Sequence, residues 1–221
     1  MRILFSVVLN VFLAVFLGVA TQAALAQEAP TSDAFATVKM KTFDGEKFVF
    51  PEGMKGTELN VVFLGMSDSQ ENGEWQQQRL LDIQAALDEK AVFSEKVMAY
   101  HFPAMSSPPF FVKGVIARAM AESYEGKVPL DQAGVMYLDD LQVFAIESGL
   151  MVDDQPTIVI ADASGKPMQV FKGELSDELI DKLLVAIRGD EPAAVKSTVT
   201  ETGPATGPDQ AVEGETGNYE K

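Results

Sequence analysis

The chain of 221 residues contains no cysteine and a single histidine, His101. Without cysteine there are no disulfides, thiolate nucleophiles, Cys-ligated zinc sites, iron–sulfur clusters or cysteine-linked lipid anchors. One histidine excludes multi-His metal sites. Positive charge is also scarce: 17 Lys and Arg stand against 33 Asp and Glu, a formal net charge of −16. Phosphate backbones select clustered Lys and Arg, so this balance argues against nucleic-acid binding. The groups left for chemistry are carboxylates, hydroxyls, Lys and Arg, and no cofactor is expected.

The two ends differ from the middle. Arg2 is followed by an uncharged run, Ile3 to Ala20, and then by Ala24-Leu25-Ala26. A short apolar run with small residues at its exit is the pattern of a secretory signal, so residues 1–26 are expected to be cleaved. The product is then periplasmic or secreted. Contact with a membrane is expected only through an uncleaved signal segment. Residues 27–35 read as a linker. Asp190 to Lys221 has no Leu, Ile, Phe or Met and more acids than bases, so it reads as a disordered acidic tail.

Residues 36–189 alternate strand and helix signals. Ala36, Val38 and Met40 alternate with Thr37, Lys39 and Lys41. Asp44-Gly45 then turns the chain into Phe48-Val49-Phe50, which predicts a β-hairpin. Val61-Val62-Phe63-Leu64 suits a strand buried on both faces. Trp75, Leu80, Ile83 and Leu87 recur at near-helical spacing, and Lys96 to Phe102 reads as the next strand. Ser107 is expected to cap a helix ending at Gly126, with Val112, Val115, Ile116, Ala119, Met120 and Tyr124 as its buried stripe. Val135 to Leu138 is a strand and Asp140 to Ser148 a short helix. Thr157 to Ile160 and Met168 to Phe171 flank Asp162-Ala163-Ser164-Gly165 as a second hairpin. Ser176, Asp177 and Glu178 begin a last helix whose core face is Leu179, Ile180, Leu183, Leu184 and Ile187.

The stretch Gln155-Pro156-Thr157-Ile158-Val159-Ile160-Ala161-Asp162-Ala163-Ser164-Gly165-Lys166 resembles the second half of a thioredoxin-like domain of the TlpA and peroxiredoxin type. The first hairpin and the strand ending Phe63-Leu64-Gly65 fit its first half. The layout is similar to that of the YtfJ-like periplasmic group. The resemblance implies an α/β three-layer sandwich with a mixed central sheet and an N-terminal β-hairpin. It also implies a cis-proline at Pro156 beside the active loop, which follows the Val61–Gly65 strand. In this chain that loop is Ser67-Asp68-Ser69-Gln70-Glu71, so thiol–disulfide exchange is excluded by composition.

Ser67, Asp68, Ser69, Gln70 and Glu71, together with Gln155 and Pro156, therefore form the candidate binding site. It is expected to take an extended or basic protein segment by backbone pairing and electrostatics. The alternative is a carboxylate- or metal-dependent enzyme built on the acids at 67–74. A calcium loop beginning at Asp68 fails because its twelfth position is Arg79 where a bidentate Glu is required. Looser divalent binding through Asp68, Glu71 and Glu74 belongs to that alternative. His101 with Ser106 or Ser107 can be drawn as a triad, but no nucleophile-elbow pattern surrounds it, and it reads as a structural histidine. Asp139-Asp140 and Asp153-Asp154 read as solvated acids flanking a helix or a loop. In the stretch Met105 to Phe111, packing of Phe110 and Phe111 under their helix is favoured over exposure to a partner.

Overall fold

The computed structural model describes residues 27–28 and 31–189. The expected signal segment, its cleavage point and the expected acidic tail lie outside the described residues. Among the described residues no helix is long and apolar enough to cross a membrane.

A five-stranded sheet organises the domain in the order β1-β9-β8-β4-β5. The members are β1 (Gln27–Glu28), β4 (Leu59–Leu64), β5 (Val97–His101), β8 (Thr157–Asp162) and β9 (Pro167–Lys172). β4 and β5 are parallel, whereas β8 is antiparallel to both β4 and β9. The central position of β4 explains its unbroken apolar run, because both of its faces are covered. Val61 and Phe63 face one way with Ile158, Ile160 and Phe171. That face is covered by α1 (Gln70–Glu89) and α4 (Asp177–Arg188). Val62, Leu64, Val159 and Val170 face the other way. They pack against the hairpin of β2 (Val38–Lys41) and β3 (Lys47–Phe50) and against α3 (Leu141–Glu147). This is the thioredoxin-like three-layer sandwich with a mixed sheet and an N-terminal hairpin.

Both hairpin turns follow their local chemistry. Thr42 Oγ1 donates to Asp44 Oδ1 at 2.6 Å, and Gly45 takes φ +94°. In the second, Asp162 Oδ1 accepts from the Ser164 hydroxyl at 2.6 Å and from the Ser164 and Lys166 amides at 2.8 and 3.0 Å. These bonds hold the Asp162 carboxyl below its usual range. Gly165 has φ +83°, and a Cβ there would lie 2.9 Å from Pro51, so only glycine fits between the two hairpins.

Several expectations are corrected. Residues 27–35 are more than a linker, since Gln27 and Glu28 pair with Phe171 and Val170 and Phe35 is buried in the core. β7 (Met136–Leu138) lies outside the main sheet and pairs in parallel with a short strand, β6 (Ala104–Ser106). Ser107 is not a cap; its amide donates to Leu138 O at 2.7 Å. Pro108 and Pro109 keep the chain extended, so α2 starts only at Phe110 and runs to Tyr124. The expected stripe on α2 is not a core face: of its residues only Tyr124 is buried, and Val115 is 69% exposed. Phe110 and Phe111 are not packed under the helix but stand 87% and 70% exposed. In α4 Leu184 is only partly buried, whereas Leu179, Ile180, Leu183 and Ile187 are buried as expected.

Candidate functional site

The candidate loop leaves the end of β4 and becomes the first turn of α1. Ser69 caps that helix: its hydroxyl accepts from the Asn72 amide at 3.2 Å. Ser67 folds the loop by donating to Ser69 O at 3.0 Å. Asp68 lies exposed, and one carboxylate oxygen accepts from Gln142 Nε2 at 3.2 Å. Gln70 Nε2 donates to Glu74 Oε1 at 2.7 Å. Glu71 is exposed.

A buried glutamine fixes the loop from behind. Gln76 Oε1 accepts from the Met66 amide at 3.0 Å, and its Nε2 donates to Met66 O at 2.9 Å. The same amide reaches Asn72 Oδ1 at 2.6 Å and Asp153 O at 3.0 Å. Asn72 Nδ2 adds a bond to Asp154 O at 3.3 Å. Loop 67–71 and loop 153–156 are thus tied together through one side chain of α1. Gln76 was not among the sequence candidates. Its signal was a polar residue one turn before Leu80 on the apolar stripe of α1, where a hydrocarbon would be the ordinary choice.

At Pro156 the cis-proline implied by the resemblance is not found. The peptide bond before Pro156 is trans, and among the described residues the cis bond is Phe50–Pro51. Pro156 is buried, and its carbonyl already accepts from the Gly173 amide at 3.3 Å. The Gln155 amide donates to Asp153 Oδ1 at 3.0 Å. Backbone pairing of a ligand at these two groups therefore loses its geometric basis, because secondary structure and a local turn already use them.

The open space lies on the other side of the loop. A cavity of about 420 Å³ separates α2 from Ser67, Asp68, Ser69, Gln70 and the first two turns of α1. Its remaining wall is the passage from β5 into β6, including Pro103 and Met105, and α2 contributes Ile116, Ala119 and Met120. Glu71, Gln155 and Pro156 do not line it. Its size is within the roughly 300–1,000 Å³ of small-ligand sites. A depression of 550 Å³ also lies beside the first hairpin, and one of 290 Å³ at the far end of α1, both away from the candidate loop.

The charge of this cavity is decided by magnitude. The start of α1 contributes a partial positive charge of about half a unit. Asp68 and Glu74 contribute two full negative charges, no lining residue is Lys, Arg or His, and neither acid is in an ion pair among the described residues. The carboxylates outweigh the helix end, so the cavity repels anions and favours cations.

The remaining titratable candidates have structural roles. His101 is fully buried, stacks on Phe63 with ring centroids 4.4 Å apart, and bonds to Gln84 through Nε2. Burial pushes its pKa down to about 3, so the ring is neutral. No triad with Ser106 or Ser107 is assembled. Asp140 caps α3, accepting from Gln142 and Val143 amides at 2.9 and 3.0 Å. Asp153 pairs with the nearly buried Lys172 at 2.5 Å. Glu71 does not line the cavity that Asp68 and Glu74 share, and the described residues include no group of three or more His, Cys, Asp or Glu arranged to hold a metal ion.

No protein-family model matches the chain, and no curated protein matches its sequence. Solved structures with some similarity to the chain have TM-scores below 0.5. A SCO1/SenC family lipoprotein from Bacillus anthracis is 10% identical with a TM-score of 0.49, covering 74% of this chain and 98% of that one. BsSco, a member of the Sco family of cytochrome c oxidase assembly proteins, is 12% identical with a TM-score of 0.48, covering 73% and 95%. The peroxidoxin BcpB of Mycobacterium tuberculosis is 16% identical with a TM-score of 0.45, covering 74% and 99%. BsSco has a disulfide switch; this chain has no cysteine with which to form one.

Proposed function

We propose that this chain is an exported, non-redox binding module on a thioredoxin-like fold, and that its ligand seat is the cavity between the start of α1 and α2. One observation carries the reading. At the end of β4, where related folds place a reactive thiol, hydroxyl and carboxylate groups face an open cavity with an apolar far wall. Such a surface has what binding requires, an apolar wall with a few polar groups set against it. Ser67, Asp68, Ser69 and Gln70 are the proposed contact residues on the loop side. Gln155 and Pro156 are assigned to the supporting frame, and Glu71 lies outside both. The narrower affiliation we propose is with cysteine-less YtfJ-like periplasmic proteins, on the strength of the layout and the thiol-free loop.

The seat is tested by titrating a pool of short synthetic peptides into isotope-labelled protein and following backbone amide shifts. Shifts are expected to concentrate at residues 67–74, 103–106 and 116–120. Shifts confined to other surfaces would overturn the assignment, and catalysed insulin disulfide reduction by the purified chain would contradict its non-redox half. Export is checked by N-terminal sequencing of the released product, which is expected to begin at Gln27.

A further inference from the structure

We infer that the cavity under α2 receives a Lys or Arg side chain from a protein segment. This rests on the reading of the chain as a binding module and names what the module binds. Asp68 and Glu74 line the cavity, and their nearest donors are the neutral amides of Gln142 and Gln70 at 3.2 and 2.7 Å. Those amides orient the carboxylate oxygens and leave their charge uncompensated. Opposite them Ile116, Ala119 and Met120 form an apolar wall. A side chain with a hydrocarbon stem and a cationic head matches both surfaces at once.

Other occupants fit less well. A purely apolar ligand would take two carboxylates out of water with nothing to pair them. An anion meets two negative charges, and a nucleic acid meets them repeatedly.

Trp75 is the only tryptophan in the chain and adjoins Glu74, so its emission is a local reporter. Four blocked heptapeptides, identical except for Lys, Arg, Gln or Glu at the centre between Leu and Phe, are titrated into the full chain. Trp75 emission and calorimetry are read in parallel. The Lys and Arg peptides are expected to bind at least ten-fold more tightly than the Glu peptide, and to weaken as salt rises. The double variant Asp68→Asn, Glu74→Gln should lose at least five-fold for the Lys peptide and little for the Gln peptide. Both positions are exposed, and a matching thermal melt checks the fold; the salt dependence of the unaltered chain tests the same point without a variant. If the Gln and Glu peptides bind as tightly as the Lys peptide, and Ile116→Ser abolishes all of them, the cation preference is wrong and the binding module stands. If no peptide of any charge binds, both readings fall.

Discussion

Helices α4 and α2 differ little in length, 12 and 15 residues, and greatly in their surroundings. In α4 every local device agrees with burial. The Ser176 hydroxyl accepts from the Leu179 amide at 3.2 Å, Asp177 and Glu178 sit at the positive end, Arg188 at the negative end, and Gly189 closes the helix with φ +68°. Four residues of α4 enter the core. Helix α2 begins at Pro109 with no side-chain cap, has no acid in its first turn and no base in its last, and buries only Tyr124. Its apolar residues are divided between solvent and a cavity. The contrast shows that apolar periodicity alone does not decide burial. α4 is covered by the sheet, whereas the apolar residues of α2 other than Tyr124 are not buried.

The largest expected effect tests the α4 side. Leu183→Ala, at a fully buried position, should lower stability by about 3 kcal/mol, measured by urea unfolding. Val115→Ala on α2 should change it by no more than about 0.5 kcal/mol. Equal costs would mean that α2 is covered in solution and that the contrast is false.

Next comes the frame of the cavity. Gln76→Leu keeps the volume on α1 but leaves the Met66 amide and carbonyl and the Asp153 carbonyl without partners. A loss of about 2.5 kcal/mol is expected from these orphaned groups. Hydrogen exchange should quicken at residues 66–72, and not along α4.

Acid gives a further handle. His101 has a pKa of about 3 in the folded chain against 6.5 ordinarily. Between these values the unfolded chain binds the proton and the folded chain does not, so stability falls as pH drops below about 6.5. The slope approaches 1.4 kcal/mol per pH unit, or about 2 kcal/mol between pH 6.5 and 5. The His101 ring lies edge-on to Tyr124, the one buried residue of α2, with centroids 5.5 Å apart. Hydrogen exchange over residues 110–124 should therefore rise before that of α4. His101→Gln should flatten the pH profile, and an unchanged slope would mean that other groups set it.

The smallest effect is the most telling for α2. Phe111→Ser should leave the unfolding free energy within about 0.5 kcal/mol of the unaltered chain while reducing retention on a hydrophobic column. A clear loss of stability would show that the ring is packed.

The elements legible in the sequence are those whose determinants are local. Ser176, the stripe from Leu179 to Ile187 and Gly189 define α4 within one short segment, and Asp44-Gly45 and Asp162 to Gly165 define the two hairpin turns. The continuous run of β4 likewise announced a strand buried on both faces. The illegible parts depend on distant partners. Nothing in α2 says whether a second layer will meet Val115, and the three-residue β6 owes its existence to β7 lying beside it. Gln76 and Gln84 looked like ordinary polar helix residues, yet each is buried against a partner far along the chain or on another strand. At the candidate site the loop residues Ser67 to Gln70 were found from the position of β4. The wall supplied by Ile116, Ala119 and Met120 was not, because those residues read as core.

The absence of cysteine does not place the molecule beyond the reach of oxidants. Met105 and Met120 put two thioether groups on the wall of the open cavity. A peroxide transfers one oxygen to such a sulfur and leaves as water, giving a sulfoxide that is polar and chiral. Each conversion would add a polar group to the wall that these methionines form with Ile116 and Ala119. Oxidative stress would then register in this thioredoxin-like domain as a change in what its cavity holds, with no disulfide made or broken.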